Sequence, residues 1–281
     1  MPMEFRRLFG QGVILVGMAH QDGVTAKIRL GCQANAWAID PGRPETLFSS
    51  LQEIAGLGFS GFEMGFRNVM QLRDAKEEFA RERRGLAFFG VHIFLHEYDL
   101  ATCVPPLDLA REVAEIGAEL GAERLIVSGG PAGHATDAKA AALNALGEQV
   151  RRFGLGFAYH NHGPEVRGPE PEIEVLLAGT DPSLVGLLLD AGHAFRAGID
   201  VADFVGRHAE RLTGVHLRDF RSGRQVPLGD GDFPLDAVAR ALRGKSWSGW
   251  VLAEEEREDG SKPGLSAMRP ARLALERAFG K

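Results

Sequence analysis

The stretch LVGLLLD, residues 184 to 190, is a run of apolar residues that ends in an aspartate. Three similar runs lie around it: FAYHNH ends at His160 and His162, GVH ends at His216, and WVLAE ends at Glu254. These polar ends follow one another at intervals of 26 to 38 residues, which one strand, one helix and two loops occupy in a parallel βα repeat. The spacing predicts a parallel sheet whose strands bring polar side chains to one end.

The same alternation of strand-like and helix-like segments continues over the chain from Lys27 onward. Strands are predicted at 28–34, 60–64, 86–94, 124–129, 155–162, 184–190, 212–219 and 249–254. Helices are predicted at 44–57, 70–84, 107–120, 136–153, 170–179, 200–209, 234–243 and 266–279. Eight strands with eight helices predict an α/β protein with a single (β/α)8 TIM barrel rather than an open doubly wound sheet.

Two local features refine this pattern. The predicted helix 107–120 is followed by Gly121, which is expected to adopt the left-handed conformation that ends a helix. The segment LGDGDF, residues 228 to 233, is predicted to be a turn in which Asp232 caps the next helix.

The composition limits the classes of partner. The 281 residues, 44% of them hydrophobic, suffice for one large core, so a single barrel domain is expected over 28–281, after an N-terminal extension over 1–27. A net charge of -6 offers no basic field for nucleic acid, and no apolar run is long enough for a membrane span. Two cysteines, Cys32 and Cys103, fit a reducing compartment, and a cytoplasmic location is expected.

The polar strand ends predict a metal site. In a closed barrel the carboxyl ends of all strands share one mouth, so Asp190, His216 and Glu254 are expected to meet there. Imidazole and carboxylate ligands together suit one divalent ion such as Mn, Co, Mg, Zn or Fe. The alternative is that each side chain only caps the helix that follows its strand.

Six short segments carry a family resemblance. They are GCQANAW (31–37), GFSGFEMGF (58–66), YHNHG (159–163), LLLDAGH (187–193), GVHLRD (214–219) and GWVLAEEE (249–256). In this order they resemble the sugar phosphate isomerase/epimerase group of the xylose isomerase-like TIM barrel superfamily, from Ile28 to the C-terminus. The resemblance implies a xylose isomerase-like barrel that acts in carbohydrate metabolism.

The resemblance also implies that Asp190, His216 and Glu254 bind one metal ion. In many relatives a glutamate on the fifth strand is the fourth ligand and exchanges a proton with the sugar, whereas the aligned residue here is His160. The chain therefore departs from the two-glutamate pair of the ketose 3-epimerases. Strand periodicity places His160 and His162 on one face, and the order of preference for the fourth ligand is His160, His162, then Glu165.

Such a site supports proton transfer next to a carbonyl group. A metal ion acts as a Lewis acid on the carbonyl oxygen of a polyol, which makes the neighbouring C–H bond more acidic and gives a metal-stabilised enediolate. Glu254 is the first candidate for the catalytic base and Glu63 the second, with a histidine such as His160 as the partner for the second proton. Epimerisation, aldose-ketose isomerisation and dehydration all start from this step.

Five residues are predicted to contact the substrate, each with a structural alternative. His193 resembles the family's substrate-binding histidine but is also placed to cap a helix, and Trp37 could pack on a sugar face or only inside the barrel. The remaining candidates are His92, His162 and Arg218, the last with a salt bridge to Asp219 or another loop acid as its alternative.

The leading hypothesis is a divalent metal-dependent isomerase or epimerase acting on a ketose, a keto-inositol or a keto-glycoside. A lyase similar to inosose dehydratases is the second. A nuclease similar to endonuclease IV, with three zinc ions, is a third, and a barrel that binds a sugar or a partner without catalysis is a fourth. The resemblance also implies that the chain can form a homo-oligomer.

Overall fold

The fold is a closed barrel of parallel strands surrounded by helices, in a computed structural model that describes residues 27–94, 96–130 and 136–280. Within these residues the barrel strands are β1 (Ile28–Gln33), β2 (Gly61–Gly65), β3 (Ala87–Ile93), β4 (Ala122–Ser128), β5 (Gly156–His160), β6 (Gly186–Asp190), β7 (Leu212–Leu217) and β10 (Gly249–Ala253). The predicted (β/α)8 barrel is confirmed. The predicted N-terminal extension, 1–27, lies outside the described residues except for Lys27.

The helices follow the strands in the expected alternation. They are α1 (Pro44–Gly56), α2 (Phe66–Gln71), α3 (Lys76–Glu82), α4 (Leu107–Glu119), α5 (Thr136–Arg151), α6 (Glu172–Gly179), α7 (Ala191–Arg196), α8 (Val201–His208), α9 (Leu235–Gly244) and α10 (Leu265–Phe279). The predicted helix 70–84 is in fact two helices, because the chain turns after Leu72 and restarts at Ala75. Helix α7 and a hairpin of β8 (Asp219–Arg221) and β9 (Arg224–Val226) were not predicted.

The strand order around the barrel is β1, β10, β7, β6, β5, β4, β3, β2, which closes on β1. The register places Asp190 beside His216 and Ser128 beside His160. Gln33 lies beside Glu63 in the same way. Polar residues from neighbouring strands therefore form one layer at the carboxyl ends of the strands.

The opposite end of the barrel is filled with apolar side chains. Phe89, Ile126, Ala158, Leu188, Trp250 and Leu252 are fully buried and form a separate cluster inside the barrel. The Trp250 ring needs a glycine beside it, because a Cβ atom on Gly61 would collide with that ring. The polar layer at the carboxyl ends of the strands is thus backed by an apolar cluster inside the barrel.

The structure confirms the prediction for Gly121 but not the one for Asp232. Gly121 follows α4 with a φ of 78°, as expected for the residue that ends a helix. The prediction for Asp232 was wrong: helix α9 starts after Pro234 without a side-chain cap. The Asp219 carboxylate instead accepts backbone hydrogen bonds from this turn, at Gly229, Gly231 and Phe233.

None of the described helices combines the length and the apolar character needed to cross a bilayer.

Candidate metal centre

Four side chains meet at the carboxyl ends of the strands. His160, Asp190 and His216 lie on β5, β6 and β7, and Glu254 directly follows β10. One ligand atom from each lies within 4.8 Å of every other, and all four residues are buried. The structure thus brings together the residues that the sequence analysis expected to converge, and among the described residues this is the one group of its kind.

The atoms that face each other in this cluster are polar or charged, and they lie close together. Asp190 Oδ2 and Glu254 Oε2 are buried and form no hydrogen bond of good geometry with the described residues, although Arg218 Nε lies 3.0 Å from the first and His216 Nδ1 lies 2.7 Å from the second. His160 Nε2 lies 3.2 Å from His216 Nδ1 and 3.6 Å from Asp190 Oδ2, while His216 Nδ1 lies 2.7 Å from Glu254 Oε2. Two buried carboxylate oxygens and two imidazole nitrogens around one small space fit a divalent cation.

The charge balance of the cluster favours a cation as well. Burial lowers the pKa of His216, but the carboxylates of Glu63 and Glu254 on either side outweigh that effect and raise it well above the usual value. The two carboxylates therefore favour positive charge at the position of His216. Burial lowers the pKa of His160 well below its usual value, so this ring stays neutral and able to act as a ligand.

Asp190 uses its two oxygens differently. Oδ1 accepts a hydrogen bond of 2.8 Å from the backbone N–H of His193 and caps helix α7. Oδ2 faces the cluster. Asn161 holds the backbone of Asp190 at the end of β6: its side-chain oxygen accepts from the Asp190 N–H and its amide nitrogen donates to the Asp190 carbonyl. The capping and ligand interpretations of Asp190 are therefore compatible.

Glu63 lies behind His216, closed off from the mouth. Its Oε2 is 2.7 Å from His216 Nε2, and its Oε1 accepts from Gln33 and lies 2.9 Å from His92 Nδ1. Burial raises the pKa of Glu63, but the His216 charge and the hydrogen bonds of both histidines outweigh it and bring it to about 2. A carboxylate that is fully buried and fully bonded in this way orients His216 rather than facing a substrate.

Two further buried residues, His92 and Ser128, extend the hydrogen bonding of Glu63. His92 Nε2 lies 2.7 Å from Ser128 Oγ, so Ser128, His92, Glu63 and His216 form one continuous row of hydrogen-bonding groups. His92 was expected to contact the substrate, but it is only 2% exposed and lies beneath Phe94. Gln33 and Ser128 were not singled out from the sequence. Both lie at the carboxyl ends of strands, where polar side chains were expected to meet.

Arg218 crosses the edge of the cluster. Its guanidinium lies 3.0 Å from Asp190 Oδ2, 2.7 Å from Glu254 Oε1 and 3.1 Å from Glu256 Oε2. Burial raises the pKa of Glu254, but Arg218 and His216 outweigh it, so the carboxylate remains ionised far below its usual range. The sequence analysis also allowed Arg218 a salt bridge to Asp219 or to another loop acid. The ion pair forms with Glu256 and not with Asp219.

His162 and His193 form a pair at the open side of the cluster. Their ring centroids are 5.0 Å apart, and their side chains are 24% and 21% exposed. Burial lowers the pKa of His193. Glu165 is turned away from the mouth, since it accepts hydrogen bonds from the Tyr159 hydroxyl and the His162 backbone. Of the three candidates for a fourth ligand, only His160 lies in the cluster.

Trp37 lies beside the cluster, above β1. Its indole N–H donates to Glu53 at 2.6 Å, and the side chain lines a cavity at the mouth of the barrel. The ring is largely packed and one part of it borders open space, so packing is observed, and contact with a sugar stays a prediction.

Comparison with known proteins supports the fold. The model of the xylose isomerase-like TIM barrel family matches residues 51–275. An inosose dehydratase from Bacillus licheniformis is 33% identical over 135 residues, which are 41% of this chain and 45% of that protein. The chain thus spans less than half the length of that relative in the matched region.

Two solved structures share the fold. A sugar phosphate isomerase/epimerase from Parabacteroides distasonis superposes with a TM-score of 0.70 at 19% identity, covering 92% of this chain and 97% of that one. The IOLI protein, solved with a bound zinc atom, superposes with a TM-score of 0.70 at 15% identity, covering 89% and 98%. The predicted resemblance to the xylose isomerase-like TIM barrel superfamily is confirmed, and a sugar phosphate isomerase/epimerase is among the structures that share the fold.

Proposed function

We propose, because the chain belongs to the xylose isomerase-like TIM barrel family, that it is a metal-dependent enzyme that dehydrates a keto-inositol or a related keto-sugar. The observation that carries this proposal is the His162–His193 pair, which places two proton-transfer groups on one side of the candidate metal centre. The inosose dehydratase relative supports the same outcome.

The residues that would hold the metal are His160, Asp190, His216 and Glu254. Two imidazole nitrogens among four ligands favour Mn, Co, Zn or Fe over Mg, which prefers oxygen. When bound, the ion supplies Lewis acidity to the carbonyl oxygen of the substrate, which makes the C–H bond on the next carbon more acidic. The zinc atom in the IOLI structure is consistent with this choice of metals.

In the proposed step His193 is the base and His162 the acid. Burial keeps His193 neutral, so it can take the proton from the carbon next to the carbonyl. The electron pair of that C–H bond forms a carbon–carbon double bond, and the C–O bond of the hydroxyl on the following carbon breaks. His162 gives its proton to the departing oxygen, which leaves as water. The Glu165 carboxylate, 3.9 Å from His162 Nδ1, places a negative charge beside that ring.

The carboxylates have supporting roles in this proposal. Glu254 is held by Arg218 and by His216, so its low basicity makes it a ligand rather than the base. Glu63 is enclosed behind His216 and fixes the orientation of that ring. This assignment moves the base from the carboxylates that the sequence favoured to the histidine pair.

A second candidate is isomerisation or epimerisation, the leading hypothesis from the sequence. Epimerisation requires proton transfer on two sides of one carbon, and in this second candidate Glu254, which follows β10, would act with His162, which lies two positions beyond the end of β5, instead of having only a supporting role. The Parabacteroides distasonis neighbour supports this outcome. The two candidates differ in whether water leaves.

The two outcomes separate in one experiment in deuterated water. The Mn-loaded protein is incubated with 2-keto-inositol and with simple ketoses. Loss of one water mass from the product supports the lyase, while unchanged formula with one deuterium incorporated supports the isomerase or epimerase. Neither change with any keto-polyol would contradict both.

We expect His193→Asn to lower the rate by a factor of about 10² to 10⁴, because the general base is lost. Metal content should stay the same, since His193 is outside the ligand set. His208→Asn is the matched control, because His208 lies on the outer helix α8. Equal rates for His193→Asn and the wild type would exclude His193 as the base.

A further inference from the structure

We infer that the cavity beside the candidate metal centre binds a second ring of the substrate, so that, among the keto-sugars of the proposed function, those with a second ring linked as a glycoside bind more tightly than those with one ring. This inference deepens the proposed function and rests on it. The cavity has a volume of about 570 Å³ and opens at the mouth of the barrel above β1, β2 and β3. We call it the mouth cavity, and it is lined among others by Asn35, Trp37, Gly65, Arg67, Phe94 and Lys262.

One layer of side chains, which includes the buried His92, separates the mouth cavity from the candidate centre. Its lining residues Asn35, Gly65 and Phe94 each lie two positions beyond Gln33, Glu63 and His92, the row of residues behind His216. The ring of Phe94 lies 4.7 Å from that of His92, which in turn lies 4.8 Å from that of His160. A ligand that reaches the metal ligands is therefore within one layer of side chains of the cavity.

Two carboxamide oxygens between the centre and the cavity lack a donor. Gln33 Oε1 and Asn35 Oδ1 are buried and have no hydrogen-bond partner among the described residues. Gln33 is 1% exposed, and its amide nitrogen is committed to Glu63, which fixes the oxygen as an acceptor. A buried acceptor without a donor is costly, and a hydroxyl group of a ligand would satisfy it. These two atoms therefore indicate a polyhydroxylated ligand that extends toward the cavity.

The walls of the mouth cavity suit a ring. Trp37 and Phe94 both line it, and the hydrogen bond from the Trp37 indole to Glu53 holds that side chain in place. Gly65 allows the Phe94 ring to lie across the end of β2, because a Cβ atom there would come within 2.7 Å of it. Flat aromatic side chains bind the apolar face of a sugar or an aryl ring.

The outer rim of the mouth cavity is polar and carries charges of both signs, because Asp40 lines the cavity together with Arg67 and Lys262, and Arg67 is paired with Glu97. Arg67, Asn68 and Lys262 line it, and Lys262 forms no ion pair with any described residue. These donors suit oxygen substituents at the far edge of a second ring. A single ring at the candidate centre would leave both the aromatic walls and this rim unused, whereas a glycoside spans from the metal ligands to the rim.

The probes for the test are unreactive compounds, so binding is read without turnover. Methyl glucoside and myo-inositol represent one ring, and phenyl glucoside and cellobiose represent two, with an aryl or a sugar second ring respectively. Binding is measured by calorimetry and by tryptophan fluorescence. Trp37 is the tryptophan at the mouth, since Trp247 and Trp250 lie buried before and at the start of β10.

We expect the two-ring compounds to bind at least about tenfold more tightly than the one-ring compounds to the wild-type protein. Trp37→Ala and Phe94→Leu should each remove most of that difference and leave the one-ring affinity unchanged. The matched control is Leu273→Ala, an exposed apolar residue on the outer helix α10. Phenyl glucoside binding without cellobiose binding would assign the second ring as aryl, and the reverse would assign it as a sugar.

Equal affinity for one and two rings would overturn the inference, as would an unchanged preference in both folded variants. The metal content of the same samples separates this outcome from failure of the proposed function. Metal binding without a ring preference contradicts only the second-ring site. A ring preference without metal binding, and without turnover of any keto-polyol, contradicts only the proposed enzyme.

Discussion

Asp190 shows how far single residues can be interpreted from the sequence. Its position after an apolar run predicted either a helix cap or a metal ligand; the structure shows one oxygen capping helix α7 and the other facing the cluster that could hold a metal. Strand periodicity also put His160 and His162 on one face, and the residue nearer the strand is the one that reaches the cluster. Both results follow from local backbone geometry, which can be predicted from the sequence.

The contacts of the Glu63 side chain could not be predicted from the sequence. Its contact with His216 joins residues on β2 and β7, which are not neighbours in the sheet, so the contact depends on the barrel closing with a particular diameter. The contacts of Arg218 with three carboxylates depend equally on side-chain paths across the mouth. Spacing along the chain contains no signal for either.

At Glu63 we expect the substitution Glu63→Gln to weaken metal binding by about 10- to 100-fold. The glutamine keeps the size of the side chain but removes the negative charge that faces His216 Nε2 at 2.7 Å. The measurement is a titration of the metal-free protein with Mn or Zn. A second readout is the nitrogen NMR shift of His216, which reports whether the ring still carries its proton on Nε2.

The control for this charge removal is Glu123→Gln. Glu123 bonds to Arg29 and to the Trp250 indole at the other end of the barrel, so its loss should lower stability without changing metal affinity. If Glu63→Gln bound metal as tightly as the wild type, the proposed role of Glu63 as the group that orients His216 would be wrong.

At the scale of elements, the loop before α9 is organised by one side chain. The Asp219 carboxylate accepts four backbone hydrogen bonds, from Phe220, Gly229, Gly231 and Phe233, all between 2.8 and 2.9 Å. Because Asp219 starts the hairpin that follows β7, this contact ties the loop to the strand that carries His216.

We expect Asp219→Ala to lower the free energy of unfolding by about 3 kcal/mol, since several backbone N–H groups lose their acceptor inside the protein. Thermal unfolding with and without metal measures the change. Asp232→Asn is the control, because Asp232 is exposed and caps no helix, and it should leave stability within about 0.5 kcal/mol of the wild type. A stability loss in Asp232→Asn equal to that in Asp219→Ala would contradict this account of the loop.

Short elements were the ones that the sequence did not reveal. Helix α7 has six residues and the β8–β9 strands have three each, too few for a hydrophobic period to appear. The hairpin does carry one local signal: Ser222 and Gly223 both have positive φ values, which a Ser-Gly pair in a tight turn permits. The split between α2 and α3 has no comparable marker, since apolar residues continue through both.

At the scale of the whole molecule, the regular spacing of the strand and helix patterns made the fold predictable. Eight apolar runs at repeat spacing correspond to the eight barrel strands among the described residues, with boundaries within a few positions. The apolar cluster around Trp250 closes one end, so polar strand ends are collected at the other. Homo-oligomer formation, the absence of a nucleic-acid partner and a cytoplasmic location stay predictions, because no contact within one chain bears on them.

The central claim is that the four clustered side chains bind one metal ion, and metal content of the purified protein tests it most directly. We compare the wild type with Asp190→Asn and His216→Ala by elemental analysis after incubation with Mn and dialysis. Asp200→Asn is the matched control, because Asp200 caps α8 as Asp190 caps α7 but lies outside the cluster.

We expect about one ion per chain in the wild type and in Asp200→Asn, and a large loss in both cluster variants. No metal in the wild type, or equal metal in all four folded proteins, would contradict the account.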